Sequence, residues 1–306
     1  MAAAAVVVAA SLLVDRLIGD PHSRYHPVAV LGRFIGWWGV PARYPPGIQR
    51  AAGVAGTLLT VFLFAAPFAL VQSAAPWYLY LILAPFLLKA CLAWRALEEH
   101  VAAVVRALEA ESIDAGRSTV GMMVSRDTAH LDAGHILSAA YESMAENLVD
   151  SIISPLFYFG LFGLAGAAAF RAVNTMDAML GYRDERLRLG WFPARADDVA
   201  NFIPARLTGL ILLAYFAAQG RFGPAWAALR RDRKKRPGFN GGIPMAVIAG
   251  GVGIRLEKPG VYTIGDPERT LAEGGAGIVR AVRAATVIFA IIEIAALFLL
   301  GSMSYS

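Results

Sequence analysis

The chain has 306 residues, 57% of them hydrophobic and only 17% charged, with a mean hydropathy of +0.54. Ordinary soluble domains carry roughly 25% charged residues, so the composition argues against a soluble globular protein and for lipid as the solvent. The single cysteine, Cys91, excludes a disulfide framework and a multi-cysteine metal site, and in its apolar stretch it reads as a small buried hydrophobe.

The apolar stretch from Met1 to Val14 starts without a basic region and runs directly into Asp15-Arg16, so it is expected to be a retained helix and not a cleaved signal. Ala51 to Ala75 is uncharged and long enough to span a bilayer. Trp77 to Trp94 follows after a short link, giving a predicted helical hairpin with Pro76 and Trp77 at its turn and Lys89 snorkelling near the returning end. Ile152 to Phe170 is interrupted by Gly160, Gly163 and Gly166, and either spans or folds back as a re-entrant pair. Phe202 to Gln219 is apolar apart from Arg206, Ile243 to Ile254 is short and Gly-rich, and Ala284 to Gly301 is a terminal span containing Glu293.

The whole chain reads as one all-α, polytopic membrane domain, residues 1–306, with a polar site carried in its loops. The basic run Arg230-Arg231-Asp232-Arg233-Lys234-Lys235-Arg236 marks a cytoplasmic loop against anionic headgroups better than it marks a nucleic-acid surface, and no nucleic-acid partner is expected. Every polar stretch carries several arginines or lysines, and the positive-inside rule would place them all on the cytoplasmic side, so either some apolar stretches are re-entrant or one polar loop faces outward despite its arginines.

Five polar clusters could carry chemistry. The first is Asp15 and Asp20 with His26 and Arg33; Asp15 near a membrane helix end needs a partner or water, and an interfacial turn is the plain alternative. The second begins at Ser125-Arg126-Asp127, where Ser125 or Asp127 is expected to cap the following helix. It continues to Glu142, Glu146 and Asp150, whose spacing puts three carboxylates on one helical face beside Asn147. Such a face needs something cationic to offset it: a metal ion, an arginine or an ammonium substrate; otherwise it is a solvated acidic surface. The third holds Arg171, Asn174 and Asp177 at one-turn intervals, then Tyr182 to Arg186. The fourth holds Asp197, Asp198, Asn201 and Arg206; adjacent acids followed by Asn suit Mg²⁺, with an internal salt-bridge network as the alternative. The fifth, Asn240-Gly241-Gly242, is a weak anion-binding signal. The chain has no P-loop and no H-E-x-x-H sequence, and His130 and His135 are poorly spaced to share a metal.

Taken together the clusters resemble the adenosylcobinamide-phosphate synthase family of cobalamin biosynthesis. The likeness is carried by Asp15–Arg33, SRDT at 125–128, AENLVDSIISPLFY at 145–158, AVNTMDAMLGYRDER at 172–186, ARADDVANFIPARL at 194–207 and NGGIPMA at 240–246, in order along most of the chain. Arg171 stands where the family often has Lys, and Leu148 where Thr is common.

The resemblance implies an amide-forming ligase that joins adenosylcobyric acid to an amino-alcohol phosphate, with Mg²⁺ and ATP as cofactors. It implies catalytic roles for Glu142, Glu146, Asp150, Asp20 and His26. Asp15, Arg33, Arg126, Asp127, Asn147, Arg171, Asn174, Tyr182, Arg186, Arg206 and Asn240 would bind substrate, and Asp177, Asp197, Asp198 and Asn201 the metal. The competing class is a membrane transporter of a small anionic or corrinoid solute, which intramembrane Arg206 and Glu293 would also suit. A CDP-alcohol phosphotransferase is excluded because its D-x-x-D-G-x-x-A-R signature is absent.

Overall fold

A computed structural model of the chain describes residues 2–20 and 23–303, and is almost entirely helical. In chain order the helices are α1 (Ala2–Ile18), α2 (Pro27–Trp38), α3 (Gln49–Ala74), α4 (Trp77–Lys89), α5 (Trp94–Glu109), α6 (Ile113–Gly121) and α7 (Ala133–Leu148). After a π-helical turn at Val149–Ile153 come α8 (Ser154–Leu180), α9 (Trp191–Ala200), α10 (Phe202–Ala218), α11 (Phe222–Asp232), α12 (Gly242–Val252) and α13 (Leu271–Met303). Among the described residues five stretches are long and apolar enough to cross a membrane: Gln49–Ala74, Trp77–Glu109, Ala133–Leu180, Trp191–Ala218 and Leu271–Gly301. One feature departs from the all-α expectation: a short antiparallel hairpin of β1 (Leu256–Lys258) and β2 (Tyr262–Ile264).

The chain forms two compact units. The first comprises residues 1–93, 150–201 and 290–306, and the second residues 94–149 and 202–289. In the first, Leu31, Ile35 and Trp38 on one face of α2 pack against Ala172, Met176 and Leu180 of α8. In the second, Val104 of α5 and Val120 of α6 close on Ile136, Ala139 and Ala140 of α7. The i, i+3, i+4 recurrence of these residues gives each helix its buried stripe.

The Gly-interrupted stretch is folded back. Gly163 takes φ 68°, ψ −154°, a conformation open in practice only to glycine. The Tyr158 and Phe170 rings stack with centroids 5.3 Å apart, whereas a straight helix would separate residues twelve apart by about 18 Å. The reversal leaves backbone groups that α-helical bonding cannot satisfy. Gln72 of α3 fills them: its Nε2 donates to the Phe162 carbonyl at 3.2 Å, and its Oε1 accepts from the Ala165 N–H at 3.2 Å. Both ends of the hairpin therefore return to one level, where Arg171 Nη1 donates to Ser151 Oγ at 3.3 Å.

Three local expectations are corrected. Asp132, and not Ser125 or Asp127, caps α7, accepting from the His135 N–H at 2.8 Å; Asp127 instead accepts from the Ala129 N–H in a turn before the helix begins. Lys89 does not snorkel: it is 5% exposed because two carboxylates hold it inside. The run of Glu142, Glu146 and Asp150 is not one α-helical face, since α7 ends at Leu148 and Asp150 falls in the π-helical turn, where the wider winding shifts it out of register.

Candidate functional site

The first unit builds a polar pocket at the end of α1 and the start of α2. Asp15, in the last turn of α1, is fully buried, and an isolated carboxylate there would be severely penalised. Lys89 of α4 compensates it at 3.9 Å and also pairs with Asp20. His26 Nε2 lies 3.6 Å from the same Asp20 oxygen. Asp20 and His26 border a cavity of about 510 Å³ whose other polar lining is Ser23, Arg24 and Arg171. Burial holds the His26 pKa below its ordinary value; Asp20 opposes the shift, and Lys89 and Arg171 add to it. Burial thus favours the neutral imidazole. Arg171 Nε is buried without a hydrogen-bond acceptor, a donor left for an anion. Of the first-cluster residues, Arg33 is turned away to the Arg24 carbonyl at 2.6 Å, and His22 and Pro21 lie outside the described residues.

A second cluster in the same unit lies between α8 and α9. Asp197 is 8% exposed. Its oxygens accept from Asn174 Nδ2 at 3.2 Å and Asn201 Nδ2 at 2.9 Å, and Asp177 lies within electrostatic reach. No cationic side chain pairs with Asp197 among the described residues. A buried carboxylate held by amides alone has no counter-charge and keeps spare lone pairs, so the donor set fits one hard cation. The fit covers part of the expected set. Asp198 turns to Arg195 at 3.1 Å on the other side of α9, and the Asn201 oxygen is occupied by the Ser154 hydroxyl at 2.6 Å. Among the described residues no three His, Cys, Asp or Glu side chains converge as a metal cluster. Mg²⁺ would therefore rest on Asp177 and Asp197, with water or phosphate completing its shell. Arg186 does not reach this cluster: it pairs with Asp184, stacks 4.0 Å over the Tyr182 ring and donates to the Met179 carbonyl at 3.1 Å.

The second unit holds the acids of α7, and arginines offset them. Glu142, 2% exposed, pairs with Arg126 and accepts from Ser138 Oγ and the Tyr262 hydroxyl, each at 2.7 Å. Glu146 pairs with Arg236. Ser138 also accepts from the Glu257 N–H at 2.6 Å, tying α7 to β1. Burial, and then Glu142, raise the Tyr262 pKa, so its hydroxyl stays a donor. Lys258 lies in the same field; burial and Arg126 lower its pKa, Arg236 adds to this, and Glu142 and Glu146 oppose it. Three cations thus meet two carboxylates, and Arg126 Nη1 is buried with no acceptor. The residual charge suits an anion. Asn147 is turned to the Ser143 carbonyl at 2.9 Å, and Arg206 and Asn240 form a separate pair at 2.6 Å.

Sequence reasoning singled out the acids and missed Lys89, Ser138, Lys258 and Tyr262 as site members. Lys89 follows an apolar run, and the other three stand alone in ordinary surroundings, so no local spacing marks them. An acid at the buried end of a membrane helix was the one available signal for Lys89, because Asp15 requires a cation.

Comparison with known proteins bears on these clusters. The family described as CobD/Cbib protein matches residues 8–289. The "Probable cobalamin biosynthesis protein CobD" of Thermococcus kodakarensis is 44% identical over 256 residues, covering 82% of each chain. The protein of the same name from Methanothermobacter thermautotrophicus is 40% identical over 84% of this chain and 85% of its own. The "Cobalamin biosynthesis protein CobD" of Pelobacter propionicus is 38% identical over 96% of this chain and 95% of its own. No solved structure matches the chain.

Proposed function

The chain belongs to the CobD/Cbib protein family, which gives it a role in cobalamin biosynthesis, and from that premise we propose that it is the ligase joining an amino-alcohol phosphate to a carboxylate of adenosylcobyric acid. The observation that carries the chemistry is His26, 3.6 Å from Asp20, in a cavity that also holds Arg171 and Arg24. A carboxylate is a poor electrophile and an ammonium is no nucleophile, so both partners must be altered before a C–N bond can form.

In the proposed reaction the corrin carboxylate oxygen takes the γ-phosphoryl group of ATP, and ADP leaves. His26 accepts a proton from the ammonium, and the freed amine attacks the acyl carbon. Inorganic phosphate departs as the amide forms, and the second N–H proton leaves with solvent. A base with a pKa near or below the working pH is suited to this transfer, worth about 10²–10⁴ in rate. Asp20 orients the imidazole, and Arg171, with its unsatisfied Nε, meets the carboxylate or acyl phosphate. Arg126 and Lys258 supply a site for a phosphate group in the second unit. Asp177 and Asp197 would hold Mg²⁺, which neutralises phosphate charge. The polar loops face the cytoplasm, where ATP is available.

The test is direct. Purified protein given adenosylcobyric acid, aminopropanol phosphate or ethanolamine phosphate, and Mg-ATP should form one amide and one ADP per turnover. Mass spectrometry of the corrinoid and ADP release follow the two products. Amide formation without ATP would remove the acyl-phosphate step, and failure to form amide with either amine would remove the ligase assignment.

A further inference from the structure

The second unit contains a cavity of about 430 Å³ between α10 and α11, apart from the clusters already described. Two helical stripes line it. Arg206, Leu210 and Leu213 lie at i, i+4 and i+7 of α10; Trp226 and Arg230 lie four apart on α11, and Arg233 is its C-cap, three residues further on. Both stripes are amphipathic along their length and not across it: guanidiniums stand at one end and apolar side chains at the other.

The charges on this face are uncompensated. Among the described residues neither Arg230 nor Arg233 has a carboxylate within ion-pair distance. Arg206 is bound only to neutral groups: the Asn240 side chain at 2.6 Å and the Phe202 and Phe239 carbonyls at 2.9 and 3.3 Å. Their neighbours on the opposite face of the same basic run are neutralised. Arg231 and Lys235 grip the buried Asp232 at 2.8 and 2.7 Å, and Arg231 also reaches Asp266 at 3.0 Å. The run therefore divides into an inner pair that closes the fold and an outer pair aimed into the cavity.

The apolar end is exposed as well. Leu210 is 62% and Trp226 43% exposed, on helices of which α10 belongs to a stretch long and apolar enough to cross a membrane. A soluble anion would use the arginines and leave this wall bare. An amphiphile uses both ends, and Trp is favoured where apolar and polar phases meet.

We propose that the cavity between α10 and α11 is a binding site for one anionic phospholipid, whose phosphate is held by Arg206, Arg230 and Arg233 and whose acyl chains lie against Leu210, Leu213 and Trp226. Guanidinium forks suit this role because they bind phosphate oxygens bidentately. The site fixes the height of α11 at the bilayer surface and makes the protein sensitive to lipid charge.

The test uses the full-length protein in detergent with phosphatidylglycerol, phosphatidylcholine or glycerol 3-phosphate as probes, read by native mass spectrometry of bound adducts. Wild type should retain one phosphatidylglycerol in preference to phosphatidylcholine. R230Q/R233Q should weaken the phosphatidylglycerol adduct about 30-fold, from roughly a fivefold loss for each basic residue near the headgroup plane. R43Q/K234Q removes the same charge from outside the cavity and should leave the adduct unchanged. L210A/W226A should weaken the lipid and not any binding of glycerol 3-phosphate, which gives a second reading should R230Q/R233Q not fold. Equal loss in both charge variants, equal retention of phosphatidylcholine, or glycerol 3-phosphate binding as tightly as the lipid would each overturn the proposal.

Discussion

The Asp197 cluster of the first unit and the Glu142 cluster of the second are built from the same materials and left with opposite charge. Both bury a carboxylate on a helix that belongs to a candidate membrane span. Glu142 is met by a guanidinium, a serine hydroxyl and a tyrosine hydroxyl, and the surplus around it is cationic. Asp197 is met by two amides and, among the described residues, by no cationic side chain. A buried charge without a counter-charge is costly, so each surplus identifies the ligand that would relieve it: a phosphate in the second unit and a metal cation in the first. An acidic motif alone does not distinguish these cases, and the partners do.

The largest effect is expected where the neutralisation is complete. Glu142→Ala strands the partly buried Arg126 guanidinium and leaves the Ser138 and Tyr262 hydroxyls without their acceptor, at a cost of about 3 kcal/mol. Chemical denaturation in detergent should show this loss with or without substrate present. A variant as stable as wild type would mean that Glu142 does not hold α7 to the β-hairpin.

Next in size is the base. His26→Gln should lower turnover by at least 10²-fold, about 2.7 kcal/mol of barrier, with little change in fold. The pH dependence follows from the depressed pKa of His26. The unfolded imidazole titrates at about 6.5 and the folded one lower, so between these values the unfolded state binds more protons. The stability contribution is fully present above pH 6.5 and is lost as pH falls through the folded pKa. Turnover should fall over the same acid range, and His26→Gln should remove the slope in stability. A wild-type profile flat from pH 7 to pH 5 in both measurements would exclude a buried neutral base.

Much of this was legible in the sequence, and the limits are physical. Apolar length marked α3 and α13, and three glycines marked the α8 hairpin, because only glycine accepts the backbone at Gly163. The four-residue spacing put Asp197 and Asn201 on one helical face, where Asn201 donates a hydrogen bond to the carboxylate. The same spacing misled at Asp150, since a π-helical turn leaves no trace in residue spacing. Adjacency misled at Asp198: neighbours on a helix point about 100° apart, so Asp197 is buried and Asp198 pairs outward with Arg195. Partners distant in the chain, such as Lys89 for Asp20 or Tyr262 for Glu142, could be required by charge or burial and still not be named.

A smaller effect should come from the unneutralised acid. Asp197→Asn keeps the volume and removes the charge: its one amide oxygen accepts from Asn201 Nδ2, and its new NH2 donates to Asn174 once that amide turns its oxygen inward. The Mg²⁺ concentration for half-maximal turnover should rise about tenfold, ~1.4 kcal/mol. The unliganded protein should melt no earlier than wild type, because the change relieves repulsion with Asp177. Early melting with normal Mg-ATP binding would identify a structural network in place of a metal site.

The smallest effect is predicted at Lys258, and it separates the two clusters most cleanly. Lys258 stands on β1 beside Arg126 and Arg236, partly buried, with no carboxylate of its own at ion-pair distance among the described residues. Burial and the two arginines already disfavour its charge, so Lys258→Gln should not destabilise the fold. If the cationic surplus holds the phosphate of the amino alcohol, its loss weakens that contact alone. A single partly screened charge is worth about 1 kcal/mol, or roughly a fivefold change. The KM for amino-alcohol phosphate should rise by that factor, with kcat and the Mg²⁺ requirement unchanged. Lys258→Arg should restore it. A shift in the Mg²⁺ requirement would instead assign the second-unit cations to the nucleotide, and an unchanged KM would reduce the Glu142 cluster to a structural tie between α7 and the hairpin.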